Sequence, residues 1–496
     1  MTDFDVVVVG FGPSGAVATG VLAQAGFKVL AIDRETAIYP KPRAMAVDHE
    51  IMRLFDNMGV ADQVLPLTAP FPASEHFGAG GQLIRRIDMV PPPYPLGYTP
   101  TMVFTQPPVE AVLRAHATAR PGVTVELGTT LTGIEQDASG VRLNLGGRIV
   151  TAGQVIACDG ASSFTRQALG IGFEDLVFDE PWLVVDFLIE PGATTRLPLT
   201  AAQFCEPARP ISYIPGPGQH RRFEIMLLPG EDSSDMQQEA SVWRLVSRWL
   251  EPSQGRLWRS AAYRFHALVA RRWRQGRIFL AGDAAHQQPP FIGQGMCQGL
   301  RDVSNLAWKL AAVRDGADPA LLDSYGEERG RHVRMLTERI KAIGRQICER
   351  DPVAAGARDA ALLVQGGGAP PVLTRQEIVP PLETGFLARQ AHPARGTLFP
   401  QPMLRQGEGW ALMDRMLGHG WRVVVLGEAP ALPPGFAVLA RPEERDGILA
   451  AWFARHGVIA AIIRPDHYVY GVAEDSAALI GIATTLAGTI FVKEIA

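Results

Sequence analysis

Residues 5–10, DVVVVG, form an unbroken β-branched run, the pattern of a strand buried on both faces. A helix-compatible segment follows to Gly26, and KVLAID at 28–33 reads as a second strand ending in Asp33. Far downstream, RIFLAGD at 277–283 repeats the strand pattern. From Met296, apolar residues recur at helical spacing through Leu300, Val303, Leu306, Ala307 and Leu310. Between these ends, PWLVVDFLIE and RRFEIMLLPG read as strands, with little helical pattern before EASVWRLVSRWLE. After a helical stretch to about Arg350, residues 351–395 turn rich in Ala, Gly and Pro, a linker-like composition. From about Gly396, strands return in WRVVVLGE, FAVLARP and IAAIIRPDHYVYGVA, with the helical DGILAAWFARHG before the last of them and a final helix after it.

The chain has 496 residues, which makes two or three domains the expectation. With 47% hydrophobic and 20% charged residues it reads as a soluble globular protein, and a net charge of −4 offers no case for nucleic acid. Cys158, Cys205, Cys297 and Cys348 are widely spaced and form no metal pattern, which fits reduced thiols in the cytoplasm. The first segment carries Asp3 and Asp5 rather than a basic stretch, and no apolar run reaches the roughly 18–20 residues a bilayer requires, so no membrane role is expected.

Chemistry enters with the turn after the first strand, Gly10-Phe11-Gly12-Pro13-Ser14-Gly15. In a strand–helix–strand unit, the first glycine permits a tight turn, the second lets a pyrophosphate reach backbone N–H groups, and the third allows close packing. The helix N-terminus adds partial positive charge, and Asp33 is placed to accept from a ribose diol. A chance glycine loop is the bland alternative, and a nicotinamide-only dehydrogenase remains open at this point. Asp283 closes the later strand, and Gly293 and Gly295 stand at the next helix entrance. Unpaired N–H groups there suit a ligand that becomes anionic in turnover.

These segments, with CDGASSFTRQALG at 158–170 and the stretch GRIFLAGDAAHQQPPFIGQGMCQGLRD, resemble the three fingerprints of single-component FAD-dependent aromatic hydroxylases, the p-hydroxybenzoate hydroxylase fold. KPRAMAVDHEIMRLFDNMG and DSYGEERGRHV look closest to the 3-(3-hydroxyphenyl)propionate hydroxylase and phenol hydroxylase branch. The resemblance implies an α/β fold: a Rossmann-like FAD-binding domain over 1–70, 106–180 and 271–350, interrupted by a mostly antiparallel α+β substrate sheet over 71–105 and 181–270. A linker at 351–395 and a thioredoxin-like C-terminal domain at 396–496 would follow. That last domain has no cysteine, which excludes dithiol chemistry and leaves a structural or dimer-packing role.

The resemblance further implies FAD as cofactor, NADH or NADPH and O2 as co-substrates, and a small phenolic ring hydroxylated ortho or para to its hydroxyl through a flavin C4a-hydroperoxide. FAD contacts would fall on Gly10, Gly12, Pro13, Ser14 and Gly15, then on Asp33, Arg34, Arg43, Gln106 and Asp159. Gly282, Asp283, Pro290, Gly293, Gly295 and Met296 complete that set. No second G-x-G-x-x-G follows a strand, so the nicotinamide is expected to bind only transiently.

Asp48 matches the place where a carboxylate faces the substrate hydroxyl in the phenol hydroxylase pattern, and it reads equally as the N-cap of HEIMRLFDNMG. His49 and His286 are either proton carriers or packing residues. Tyr213 and Tyr263 would hydrogen-bond a phenol or serve as strand packing, and Arg222 would meet an acidic side chain of the substrate or lie at the surface. Three other readings compete: a same-fold hydroxylase that tailors or inactivates a polycyclic natural product, a nicotinamide dehydrogenase, and a flavin-binding interaction module without hydroxylase activity.

Overall fold

A computed structural model describes residues 2–491. Phe4–Val9 lies inside an eight-stranded sheet, parallel to Val29–Asp33 on one side and to Arg148–Ala157 on the other. Ile278–Leu280 continues the parallel order beyond Arg148–Ala157, and Val123–Leu127 continues it beyond Val29–Asp33. The β-branched run is buried on both faces. Val6 and Val8 enter one apolar cluster with the helix Pro13–Gln24, while Val7 and Val9 enter a second beneath the hairpin strands Leu131–Gln136 and Val141–Leu145.

A nine-stranded sheet stands across from these strand ends. Its order is His286–Gln287, Gly255–Ala270, Phe173–Ile189, His220–Met226, Ile211–Pro215, Ala201–Phe204, Ser74–Phe77, Leu83–Asp88 and Val372–Thr374. It is antiparallel except where Ala201–Phe204 meets Ser74–Phe77 and where Leu83–Asp88 meets Val372–Thr374. Alternation divides its faces. Leu183, Val185, Phe187, Tyr213, Phe223 and Ile225 pack under the helix Glu239–Val246, and their neighbours in sequence turn the other way. Thr101–Phe104 belongs instead to a small sheet with Ala46–Asp48 and Thr68–Pro70.

Residues 351–395 are more ordered than a linker. Asp351 caps the helix Pro352–Gln365 by accepting from Ala354 N at 2.7 Å, with Pro at the first helical turn. Val372–Thr374 then pairs with Leu83–Asp88, so the stretch is held by the ladder of the nine-stranded sheet.

Beyond it, Ala437–Ala440, Arg422–Val425, Ala460–Ile463 and Val469–Ala473 form a four-stranded sheet, parallel in its first pair and antiparallel thereafter. Val423 and Val425 pack against the helix Ser476–Ile490, and Val424 packs with Leu449 and Phe453 of the helix Ile448–His456. Among the described residues, no helix is long and apolar enough to cross a membrane.

Candidate active site

The parallel strands Phe4–Val9, Arg148–Ala157 and Ile278–Leu280 end at one edge of their sheet, where open α/β folds collect ligands. A cavity of about 380 Å³ lies there. Gly12, Pro13 and Ser14 line it beside Gly282 and Asp283, and Pro290, Gly293, Gly295 and Met296 line it from the later loop and helix. Arg43 and Gln106 add the third side. The facing wall is the nine-stranded sheet, through Gln203, Ile214, Arg222 and Glu224. Segments at opposite ends of the expected nucleotide domain therefore share one space.

The glycines divide into two kinds. A Cβ on Gly10 would lie 2.4 Å from the Cys158 carbonyl oxygen, and one on Gly15 only 1.8 Å from the Gly10 oxygen, so these two let backbone touch backbone. A Cβ on Gly12 or Gly295 meets nothing within 4 Å. Gly12 caps the helix Pro13–Gln24 and Gly295 opens the helix Gly295–Arg314, so two helix entrances with unpaired N–H groups stand at the cavity. Gln288 also lines it, with both side-chain polar atoms buried and without a protein partner. An open cradle, two dipole ends and an orphaned amide fit an anionic dinucleotide.

Several expected contact residues hold the walls in place. The Asp33 carboxylate accepts from Phe11 N at 2.7 Å and Glu35 N at 2.9 Å, fixing the glycine turn. Gln106 Oε1 accepts from Ala44 N at 2.6 Å and anchors the Arg43 loop. Asp159 accepts from Ser163 Oγ at 2.5 Å and Thr165 N at 2.9 Å, while its neighbour Gly160 lines the cavity. Gly282 N donates to Asp302 at 2.9 Å, and His286 Nε2 meets the same carboxylate at 2.7 Å, so His286 positions the loop. Arg34 projects outward beside Glu35 and is absent from the cavity wall.

Of the two roles weighed for Asp48, the structure shows the cap. Its Oδ1 accepts from Ile51 N at 3.1 Å, and its Oδ2 accepts from Gln294 Nε2 at 3.1 Å and pairs with Arg301. Asp48 is 5% exposed and does not line the cavity. Burial opposes its ionisation, yet the Arg301 guanidinium holds its carboxyl below the usual range. Burial pushes His49 down to about 4, which leaves the ring neutral at pH 7, and His49 also lies outside the wall. Asp48→Asn should therefore lower FAD content and total activity together, with turnover per bound flavin kept within about twofold. Flavin absorbance and NADH consumption on one preparation check this.

The tyrosine expectations also change. Tyr213 is 1% exposed and packs on Phe223 with ring centroids 5.1 Å apart, on the sheet face away from the cavity. Tyr263 is 41% exposed and its hydroxyl accepts from Arg259, outside the cavity wall. One register step in a strand reverses which face a side chain meets. Arg222 does reach the cavity, but its donors are taken by Asp186 at 2.8 Å, Arg43 O at 2.6 Å and Pro42 O at 3.1 Å. It fastens the Arg43 loop to the sheet.

Arg375, Gln203 and Glu224 are among the wall residues that were not anticipated. Arg375, from the stretch read as linker, is 5% exposed, donates to Ile292 O and lies 5.1 Å from the Phe71 ring centroid; burial lowers it to about 10. Gln203 and Glu224 come from the sheet face opposite Tyr213. The period-two alternation through Arg222 was the signal for Glu224, once that face is known to be inward.

Residues 3–340 match the family model described as FAD binding domain. A probable NADH-specific resorcinol 4-hydroxylase of Rhodococcus jostii (strain RHA1) is 34% identical, covering 98% of this chain and 95% of its own. A 3-(3-hydroxy-phenyl)propionate/3-hydroxycinnamic acid hydroxylase of Mycobacterium sp. (strain JLS) is 32% identical, covering 97% and 92% respectively. The solved structure of the flavin-dependent monooxygenase PieE with FAD and substrate aligns at a TM-score of 0.81 over 99% of this chain and 100% of that one, at 20% identity, a likeness of fold. With the glycine turn, the two helix entrances and their shared cavity, these matches show that the chain belongs to the family of FAD-dependent aromatic hydroxylases.

Proposed function

We propose that the protein hydroxylates a small phenol at a carbon ortho or para to its hydroxyl, using NADH and O2 in the cytoplasm. The carrying observation is the single cavity between two helix entrances and a sheet face bearing polar groups. Bound FAD supplies electron transfer from the nicotinamide and the activation of oxygen. Gly12, Pro13 and Ser14 would hold its pyrophosphate, Asp33 its ribose and Asp283 its ribityl hydroxyls, with Arg43, Gln106 and Pro290 along its length. Unpaired N–H groups at Gly295 and Met296 would face the ring edge that gains negative charge on reduction.

The chain's other contributions are orientation and dryness. Met45, Phe71, Ile214 and Phe291 supply apolar wall, which keeps water from the reacting ring. The relative at 34% identity is named for NADH and resorcinol, which supports that nicotinamide and a single-ring phenol. We read the C-terminal sheet as thioredoxin-like on its strand order and as a packing element, since it carries no cysteine.

FAD-reconstituted protein should oxidise NADH at least ~10-fold faster with its phenol than without, yielding a product one oxygen heavier by mass. Peroxide release is measured alongside. A panel of phenols that stimulates nothing, or yields peroxide only, would overturn the reading.

A further inference from the structure

Glu224 is a feature of the cavity that the cofactor leaves unexplained. It is 6% exposed, lines the cavity, and accepts no hydrogen bond from any described residue. Strand register sets it in a row: Glu224 lies opposite Ser212, and Ser212 opposite Gln203 on the next strand. The Ser212 hydroxyl donates to Gln203 Oε1, which leaves the Gln203 amide N–H groups as donors toward the cavity. Alternate strands lie about 9.5 Å apart, so the two side chains bracket a space the width of one benzene ring with its substituents.

We propose that Glu224 accepts the hydrogen bond of a substrate hydroxyl and Gln203 donates to a second, which selects an uncharged, multiply hydroxylated benzene over an aryl carboxylate. This rests on the phenol-hydroxylase reading and names its substrate class. An ionised carboxylate only accepts, so the phenol O–H must donate. Drawing that proton toward Glu224 raises electron density on the ring oxygen and at its ortho and para carbons. The same carboxylate repels a substrate carboxylate. Arg222 offers no compensation, because its guanidinium is committed to Asp186 and to two backbone carbonyls.

Charged groups set when Glu224 is ready. Arg222 shares its strand, Asp186 comes from the adjoining strand Phe173–Ile189, Arg259 from Gly255–Ala270 beyond it, and Arg43 and Arg375 line the cavity from loop and helix. Burial dominates over the Arg222 attraction and lifts the carboxyl to about 7. Binding of a neutral phenol should therefore strengthen as pH rises through about 7, before the phenol itself ionises near ~10.

The test uses FAD-loaded holoenzyme and reads the flavin absorbance change on ligand addition. Resorcinol should bind at least ~10-fold more tightly than 3-(3-hydroxyphenyl)propionate at pH 8. Glu224→Gln should weaken resorcinol by about 10- to 100-fold and abolish the rise between pH 6 and 8, with FAD content unchanged. Glu224→Asp, which keeps the charge, should restore the pH dependence. Tighter binding of the phenylpropionate, equal resorcinol binding by Glu224→Gln, or flat wild-type binding across that pH range would each overturn the proposal. If Glu224→Gln does not fold, the wild-type ligand ratio and pH profile decide alone. Hydroxylation of a phenol that ignores Glu224→Gln sinks this inference and spares the hydroxylase reading, whereas no hydroxylation of any phenol sinks the reading itself.

Discussion

Gly15→Ala should yield no FAD-loaded protein, whereas Gly12→Ala should yield a folded protein that has lost its cofactor. The two glycines belong to one turn and differ in what surrounds them. A methyl on Gly15 would stand 1.8 Å from the Gly10 carbonyl oxygen, a backbone atom that no rotamer change relieves. Gly10 is itself pinned, since its own Cβ position lies 2.4 Å from the Cys158 oxygen. The helix Pro13–Gln24 would have to leave the sheet, which forfeits more than the usual 1–3 kcal/mol or so of an overpacked core. At Gly12 the backbone sits at φ −67° and ψ −172°, open to any L-residue, and the added methyl meets only empty space. In the proposed reading that space is the path of the pyrophosphate. Gly12→Ala should keep the apoprotein's circular dichroism and melting temperature while weakening FAD by at least ~100-fold, about 3 kcal/mol. Tight FAD binding by Gly12→Ala would remove the cofactor from this cavity.

That contrast shows why one part of the site was legible in the sequence and another was not. The strand–turn–helix around Gly10–Gly15 carries its information locally: β-branched run, glycine spacing, proline at the first helical turn. The entrance at Gly295 has the same character. Asp48 does not, because a residue before an amphipathic helix reads as cap or as ligand until Arg301, far along the chain, is seen to occupy its other oxygen. Tyr213 and Glu224 depend on which face of a sheet looks inward. Their alternation was readable, but its sign is set by the helix Glu239–Val246, which covers Tyr213 and leaves Glu224 facing the cavity. Composition misled over 351–395, where Asp351-Pro352 followed by an alanine- and leucine-rich run was a helix start signal within a Gly/Pro-rich stretch. Arg375 was lost with it.

The second large effect lies where the C-terminal sheet meets the nucleotide domain. Glu328→Gln should lower stability by about 3–5 kcal/mol, the scale for breaking a buried ion pair from one side. Glu328, on the helix Asp323–Ile347, is 1% exposed. Its carboxylate accepts from Asn305 Nδ2 at 2.7 Å, Arg464 Nη2 at 2.7 Å and Phe386 N at 2.8 Å, and Lys309 Nζ lies 2.9 Å away. Three elements thus close on this side chain of Asp323–Ile347: the helix whose N-terminus lines the cavity, the segment carrying Phe386, and the loop after Ala460–Ile463. Burial opposes the charge, but Arg464 and Lys309 overcome it and hold the carboxyl at about 2. A folded pKa below the unfolded one stabilises above the unfolded value, near 4.5, and the contribution fades as pH falls towards 2. At ~1.4 kcal/mol per unit, that acid-labile share is about 3 kcal/mol.

Thermal unfolding should then separate wild type from Glu328→Gln widely at pH 7 and progressively less below pH 4.5. Without the carboxylate, Arg464 keeps Asp466 at 2.7 Å, but Lys309, already lowered to about 8 by burial, loses its counter-charge. The variant should therefore also release FAD more readily, because the body of Gly295–Arg314 is held by Asn305, Trp308 and Lys309 in this cluster while its first turn lines the cavity proposed for the cofactor. A gap between wild type and variant that stays constant from pH 7 to pH 3 would mean the carboxylate is not what fastens these elements, and its neutral hydrogen bonds alone would carry the junction.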